Sequence, residues 1–293
     1  MLESAVKSSR PVANAVPCGG LSMVVTQDRV AYRGLLGRPT TRVFGALTVY
    51  VALDSPFLIK IGNDPAMQKH FAVVAPNVPH LIASPDKVVG DLLIEPEFVS
   101  PLELQQLPLL IESSAVRLQL QTSMRRCRES TDLIRQSSSE FDEFFLGRPL
   151  EPRTLDSRIT LAIRQIRNQP CEQFFAASCA KLTGLSFSRF VHLFKEEIGM
   201  TFRAYCAWKR ARALLSYVGC ECSLTDLAMQ TGYPDSTHFS HSIRRIYGLR
   251  PKDILAGSRR LLVASGTSNN VVALPNRAHA MAANTGYASR ILA

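Results

Sequence analysis

The fold of this chain is decided by two related stretches, AKLTGLSFSRFVHLFK (180–195) and AMQTGYPDSTHFSHSIRR (228–245). They align with an offset of 48 residues before the turn and 49 after it, so one residue has been added in the turn. Each stretch has a small residue in a short apolar segment, a glycine that can turn the chain, and a serine or aspartate placed to cap the next helix. Apolar residues then recur three and four positions apart. The pattern predicts a duplicated helix-turn-helix unit.

The positive charge of the chain is concentrated around this duplication. The whole chain carries a formal net charge of +10, of which residues 153–260 contribute 17 Lys and Arg against 8 Asp and Glu. Residues 1–152 are nearly neutral, with 15 basic and 16 acidic side chains. A basic block on paired helix-turn-helix units is typical of contact with nucleic-acid phosphates, whereas a merely solvated basic face is the alternative.

Length and composition indicate a protein of more than one domain. A chain of 293 residues with 46% hydrophobic residues can bury two cores. No apolar run reaches the roughly 18 residues that span a bilayer, and the first 17 residues lack a secretory pattern, so we expect a cytoplasmic protein. The seven cysteines form no CxxC pair, which argues against a disulfide framework or a zinc site.

The N-terminal part is rich in β-forming residues separated by turn signals. Strands are expected over residues 46–52, 57–61, 71–74, 80–83 and 88–94. Their short, regular spacing predicts a small β-sandwich or barrel. We expect its interior to be lined by apolar residues, namely Leu47, Val49, Val51, Leu58, Ile59 and Val73.

The rest of the chain is predicted to be helical up to a polar tail. Residues 107–145 favour two antiparallel helices, 148–152 form a linker, and 155–168 resume a helix. The fold class is therefore α+β and multidomain. The predicted division is a β-rich domain at 1–110, a helical segment at 111–147, the linker, a basic helix-turn-helix domain at 153–257 and an unstructured tail at 258–293.

Residues 153–256 resemble the DNA-binding domain of the AraC/XylS transcription regulators. The resemblance rests on SFSRFVHLFKEEIGMTFRAY (186–205), SLTDLAMQTGY (223–233) and HFSHSIRRIYGLRP (238–251), together with Arg210. Gly248 and Pro251 reproduce the closing G-x-x-P of that family. The resemblance implies two helix-turn-helix units joined by one long linker helix.

The N-terminal region is similar to the cupin-type sensor domain of the same family, through HFAVVAPNVPHLIASPDKVVGDLLIEPE (70–97). Metal-binding cupins bring two or more histidines and a carboxylate together, often through a His-x-His pair. Only His70 and His80 lie in this region, and they are not so paired. We therefore expect no metal and no cofactor, and we expect His80 to have a structural role rather than a role as a metal or effector ligand.

Helical periodicity separates the core face of each second helix from its outer face. In 186–198 the stripe of Phe190, Leu193, Phe194 and Ile198 must face the core. In the second unit Phe239, Ile243 and Ile246 take that position. The outward residues are the candidate DNA contacts: Ser188, Arg189, His192, Lys195, Ser236, Thr237, His238, His241, Arg244 and Arg245. Early residues of each helix are placed to reach base edges, and later basic ones to meet phosphates, with an uncontacting polar side chain as the alternative at each position.

Two classes of function are consistent with these features. The first is a homodimeric, effector-responsive transcription regulator that binds promoter DNA. It would dimerise through helices in 114–146, with Leu120 and Leu133 expected at the contact between subunits. Packing of those helices on their own β-domain is the alternative. The second class is a cupin-type enzyme, or a binding module without an effector, fused to a DNA-binding domain. The β-region shows no nucleophile constellation or metal-ligand set, so we predict that the chain is not an enzyme. The family resemblance implies activation by recruitment of RNA polymerase.

Overall fold

A computed structural model describes residues 21–127, 137–168, 174–218, 223–258 and 262–265. The strands are β1 (Ser22–Val25), β2 (Arg29–Leu35), β3 (Thr41–Arg42), β4 (Leu47–Val51), β5 (Phe57–Ile61), β6 (Met67–Lys69), β7 (Phe71–Val74), β8 (His80–Ala83), β9 (Val88–Ile94) and β10 (Leu262–Ser265). The helices are α1 (Pro101–Leu110), α2 (Ser114–Arg126), α3 (Ser138–Leu146), α4 (Ser157–Asn168), α5 (Ala176–Leu182), α6 (Phe187–Ile198), α7 (Phe202–Ala213), α8 (Leu224–Gln230), α9 (Ser236–Tyr247) and α10 (Pro251–Ser258).

The strands form two sheets, which we call the β-domain. One sheet has the order β10-β1-β2-β9-β4-β7 and the other the order β3-β8-β5-β6. Tyr50 of the first sheet and Phe57, Ile59 and Ile82 of the second are buried in one hydrophobic core. Two sheets that share a core in this way form a double-layered β-domain, which agrees with the small β-sandwich or barrel predicted from the sequence.

The predicted pocket lining was mostly on the wrong face of the sheet. Leu47, Val49 and Val51 of β4 point away from the second sheet and pack against helices, as does Val73. Leu58 is half-buried, and Ile59 alone of the six joins the core between the sheets. Every residue of β4 is buried. A strand covered on both faces shows no polar alternation, so the sequence does not indicate which face is which.

The three helices α1, α2 and α3 form a layer on the outer face of the larger sheet. The sequence predicted two helices here, but α1 begins already at Pro101, with the Ser100 hydroxyl accepting from the Glu103 amide and Pro108 inside the helix. A buried ion pair ties the layer to the sheet, because Arg29 Nε and Nη2 each lie 2.8 Å from a carboxylate oxygen of Asp142.

Leu120, which was predicted to contact a second subunit, is fully buried in this layer beside Met124 and Phe145. At this position the alternative of packing within one subunit is correct. Its intended counterpart in the prediction, Leu133, lies outside the described residues.

The helices after residue 153 divide between two cores. The core of the first unit is separate and contains residues of α4, α5, α6 and α7. The second unit, α8 to α10, shares the core of the β-domain through side chains such as Phe239 and Tyr247. The predicted linker is also fixed to the N-terminal part, since Val99 pairs with Pro152 and the Ser100 amide donates to Glu151.

The chain returns to the β-domain after the last helix. Strand β10 pairs in parallel with β1, with Ser22 opposite Leu262. The prediction of an unstructured tail from residue 258 is therefore wrong for 262–265 and for Ser258, the last residue of α10. The rest of that tail falls outside the described residues. Among the helices that the structure describes, none is long and apolar enough to cross a membrane.

Candidate nucleic-acid interface

The first helix-turn-helix unit is α5 followed by α6. The predicted stripe of α6 is buried, with Phe190 and Phe194 fully inaccessible. The Phe194 ring lies 5.2 Å from Phe202 and 5.3 Å from Tyr205, both edge-on and both on α7. Edge-to-face aromatic contacts of this kind fix the rotation of a helix about its axis. The outer face of α6 is therefore set by its core face.

The turn of the first unit has the predicted local chemistry. Gly184 has a φ of +68°, a conformation that residues with a Cβ rarely adopt, and it places α6 across α5. The Ser186 hydroxyl accepts a hydrogen bond from the Arg189 amide at 3.3 Å and caps α6. The Thr183 hydroxyl donates to the Cys179 carbonyl and closes the end of α5.

The second unit repeats this construction in α8 and α9. Gly232 has a φ of +75°, and the Thr231 hydroxyl donates to the Leu227 carbonyl. Asp235 replaces serine as the cap, and one of its carboxylate oxygens accepts from the amides of Thr237 and His238, each at 2.8 Å. Hydrogen bonds from the amides of His238 and Thr237 lower the pKa of Asp235, although burial acts to raise it. The duplication seen in the sequence is therefore a duplication of structure.

The predicted contact residues lie on the outer faces of α6 and α9. All are exposed except Ser236, which is half-buried as the first residue of α9. On α6 they are Ser188, Arg189, His192 and Lys195; on α9 they are Ser236, Thr237, His238, His241, Arg244 and Arg245.

Within the described part of the chain, Arg189, Lys195, Arg244 and Arg245 form no ion pair with a carboxylate. The two faces thus offer positive charge that no ion pair neutralises, although Asp156 lies near enough to Arg189 to interact with it, together with short polar side chains. Such a combination suits a phosphate backbone flanking a groove of base edges.

An acidic cluster that holds α7 to the β-domain was not predicted. Glu95, directly after β9, is fully buried, and its carboxylate accepts from Trp208 Nε1 at 2.9 Å. Lys209 Nζ and Arg212 Nε each lie 2.6 Å from its oxygens. Burial alone would raise the pKa of Glu95, but Lys209 and Arg212 outweigh it and hold the pKa below its ordinary value. We call this group the Glu95 cluster.

Two further contacts extend the Glu95 cluster. The neighbouring Glu97 accepts from Tyr205 Oη at 2.9 Å and pairs with Lys209. Gly45 allows Trp208 to approach, because a Cβ there would lie 2.4 Å from the Trp208 ring. Because α7 joins the two units, these contacts set both units relative to the β-domain. The sequence contains only a weak indication of the Glu95 cluster. Glu95 and Glu97 follow a predicted strand, and Lys209 and Arg212 lie three residues apart on one helix.

The comparisons with known proteins agree with this geometry. Residues 179–257 match a family model described as a helix-turn-helix domain. The activator RhaS of Escherichia coli SE11 is 31% identical over 104 residues, which cover 34% of this chain and 37% of RhaS. The xylose operon regulatory protein of E. coli K12 is 28% identical over 115 residues, covering 36% of this chain and 29% of that protein. The chain thus spans about a third of the length of these curated relatives.

One solved structure extends the likeness to most of the chain. ToxT from Vibrio cholerae O395 has a TM-score of 0.51 at 11% identity, covering 79% of this chain and 99% of that one. At that identity the likeness concerns the fold alone, a β-domain followed by a helical domain. The sequence matches show that residues 179–257 form a helix-turn-helix domain similar to those of the AraC/XylS-type regulators RhaS and the xylose operon regulatory protein.

Proposed function

We propose that this chain is an effector-responsive transcription regulator that binds promoter DNA with both helix-turn-helix units. The observation that carries the proposal is the pair of capped helices, α6 and α9, whose outer faces present unpaired basic and short polar side chains. A single basic helix would fit many partners. Two such helices held by one linker helix fit a partner with a repeating structure. B-DNA is such a partner, because successive major grooves on one of its faces lie about 34 Å apart.

The two helices divide the binding site between them. Arg189 and His192 stand in the first half of α6, and Thr237 and His241 in the first half of α9. An arginine that forks onto a guanine contributes about 1–3 kcal/mol of discrimination.

Substitution of either pair should therefore relax sequence preference in one half of the site only. Arg189→Ala and Thr237→Ala should alter preference at different base pairs, and selection of preferred sites from a random library measures this. A change at the same base pairs for both variants would contradict the two-groove arrangement.

Lys195 and Arg244 should contribute affinity without sequence preference, because each lies in the last turn of its helix. Removing one phosphate contact is expected to lower the slope of log affinity against log salt by about 0.9. Lys195→Ala and Arg244→Ala should show this in mobility shifts of the full chain over a salt series. Arg126→Ala, an exposed change on the helical layer, is the matched control and should leave the slope unchanged. An unchanged slope for both Lys195→Ala and Arg244→Ala would remove the assignment.

The regulatory part of the proposal draws support from the relatives. RhaS is described as a transcriptional activator, and ToxT has been solved with a small organic molecule bound. By analogy we propose that this chain activates transcription by contact with RNA polymerase, in the cytoplasm, in response to a small-molecule effector. The contacts between α7 and the β-domain supply a physical route, since a change in the β-domain would reach the helix that joins both units.

We further propose that the chain acts as a homodimer through the helical layer, at a face different from the predicted one. Leu102, Leu109 and Leu118 are 57%, 71% and 68% exposed on α1 and α2, whereas Leu120 is buried. Exposed leucines on adjacent helices are unfavourable in water and typical of an interface.

Leu118→Glu should therefore yield a folded monomer with weaker affinity for a two-subunit site, because the second subunit no longer binds at high effective concentration. Leu120→Glu should instead unfold the layer, since it places a charge in the core. Sedimentation with circular dichroism separates the two outcomes. A Leu118→Glu chain that stays dimeric would show that the interface lies elsewhere.

The competing function, a cupin-type enzyme, would require reactive groups inside the β-domain. His80 has both ring nitrogens engaged, with Nε2 2.7 Å from Tyr50 Oη and Nδ1 3.0 Å from the Val78 carbonyl. Burial, aided by the nearby Arg42, lowers the pKa of His80 to about 4. These contacts support a structural role for His80. They favour a binding function over a catalytic one.

A further inference from the structure

One line of side chains along α6 begins with two apolar residues. Phe187, Val191 and Lys195 are four positions apart, so they follow one another along the same side of the helix. The Phe187 side chain is 57% exposed, and Val191 is half-buried at the edge of the core of the first unit. The Phe187 ring and the outer side of Val191 are therefore open to a partner. We call these three residues the α6 row.

The duplication supplies an internal comparison for the α6 row. With the offset of 49 residues, its members correspond to Ser236, Ser240 and Arg244 of α9. The basic end of the row is common to both helices. Its first two positions are apolar in α6, whereas in α9 they carry hydroxyl groups on half-buried serines. The two helices thus share one geometry but present different chemistry in their first halves.

The other outward positions distinguish the two helices less. Equivalent positions carry nearly the same groups in the pairs Ser188 and Thr237, and His192 and His241. Arg189 differs from its counterpart His238, but it lies two residues after Phe187, about 200° round the helix, and belongs to the opposite side. Because a hydroxyl and an imidazole occur in both helices, they do not by themselves assign each helix to its own half of a binding site. The apolar pair at the start of the α6 row can make that assignment.

The basic end of the α6 row indicates what lies beside it. Lys195 is in the last turn of α6, is exposed and forms no ion pair with a carboxylate of the described residues, which suits a phosphate. A row whose last residue meets the DNA backbone has its first residues beside the base edges of the groove. In the major groove the apolar group among those edges is the C5-methyl of thymine, which phenylalanine and small aliphatic groups contact. Serine at the same positions hydrogen-bonds to either kind of base pair.

We propose that Phe187 and Val191 contact thymine methyl groups, so that the first unit requires thymine beneath the first half of α6. The second unit, with serines in the equivalent row, has no such requirement. The inference rests on the proposed function, because it specifies the DNA contact of the first unit. Since the polar contacts of the two helices are nearly alike, the methyl requirement decides which half of the site each unit occupies. It thereby sets the direction in which the chain lies on the DNA.

The test removes the methyl group from the DNA and changes nothing else. The preferred site of the full chain is selected from a random library, and each of its thymines is then replaced in turn by deoxyuridine, which has the same hydrogen-bonding edge. Loss of one buried methyl group corresponds to an affinity about fourfold lower. We expect this loss in the half of the site that Arg189→Ala alters, and no loss at the equivalent positions of the other half. A first half-site without thymine, or one in which deoxyuridine has no effect, would overturn the proposal.

Variants of the α6 row connect the methyl group to these side chains. Phe187→Ser and Val191→Ser, alone and combined, give α6 the row chemistry of α9. The difference in affinity between thymine and deoxyuridine sites should shrink in each single variant and vanish in the double variant. Phe175→Ser is the matched control and should keep the full difference, because Phe175 is 59% exposed on the same unit but precedes α5.

Circular dichroism establishes that each variant is folded. Phe187→Ser alone replaces an exposed side chain, so the test remains decisive even if the double variant unfolds. A folded Phe187→Ser chain that keeps the full difference between thymine and deoxyuridine would overturn the contact and show that the exposed ring serves another partner.

The failure of this inference is distinguishable from the failure of the proposed function. A chain that selects two half-sites but does not respond to deoxyuridine would contradict the methyl contact alone. A chain that selects no preferred site would remove the proposed function, and the inference with it.

Discussion

A Glu95→Ala chain should lose about 3–5 kcal/mol of unfolding free energy, the usual effect of removing one partner from a buried ion pair. Glu95 is fully buried, and its carboxylate accepts a hydrogen bond from Trp208 and pairs with both Lys209 and Arg212. Its removal leaves Arg212 without its carboxylate partner and Lys209 with Glu97 alone. Denaturant unfolding measures the loss, and limited proteolysis should show α7 released from the β-domain.

The matched control for this variant is Glu103→Ala. Glu103 also forms a two-pronged contact with an arginine, but its partner Arg148 is 39% exposed. Surface pairs of this kind contribute about 0–1 kcal/mol. An equal effect of the two substitutions would mean that the Glu95 cluster does not hold the domains together.

The same cluster predicts how stability changes in acid. The pKa of Glu95 is below its ordinary value of 4.5 in the folded chain. Its stabilising effect is therefore fully present above about pH 4.5 and is lost as the pH falls through the lower, folded pKa. Glu95→Ala should remove this part of the acid dependence.

A Phe194→Ala substitution should cost about 3–5 kcal/mol, because it opens a cavity in the core of the first unit. Phe194 is fully buried and contacts the rings of Phe190, Phe202 and Tyr205. This core is separate from the one that the second unit shares with the β-domain. The first unit should therefore unfold in a transition of its own, and DNA binding should lose its sequence preference in one half of the site.

Phe187→Ala is the control, since Phe187 begins the same helix but is 57% exposed. It should change the unfolding free energy by no more than about 0.5 kcal/mol. Calorimetry of both variants measures the number of unfolding transitions, and selection of preferred DNA sites measures which half of the site is affected. A single cooperative transition in Phe194→Ala, with both halves of the site affected equally, would show that the two cores are coupled.

The sequence predicted best where the determining contacts are local. Strands β5, β7, β8 and β9 begin and end at the predicted residues, because proline, glycine and aspartate turns bound them. The caps and turns of both helix-turn-helix units were predicted for the same reason. The core stripes of α6 and α9 followed from helical periodicity, which needs no knowledge of the partner surface.

Prediction failed where a residue's environment depends on distant segments. Strand β4 is buried on both faces, so its pattern did not show that Val49 packs on helices while Tyr50 faces the core between the sheets. Strand β10 owes its place to β1, at the other end of the chain. Glu95 and Trp208 are 113 residues apart, and nothing in either local sequence indicates the other.

The sequence by itself thus determined the class of each domain, the duplicated unit and the residues on its outer faces, since short-range periodicity, turn chemistry and net charge fix those features. Tertiary structure alone decided how the domains are joined, through the Glu95 cluster and the core shared with the second unit. The physical reason is that burial and charge compensation are properties of groups brought together by folding. A single acidic or basic residue in a sequence does not indicate whether folding will bring an oppositely charged group beside it.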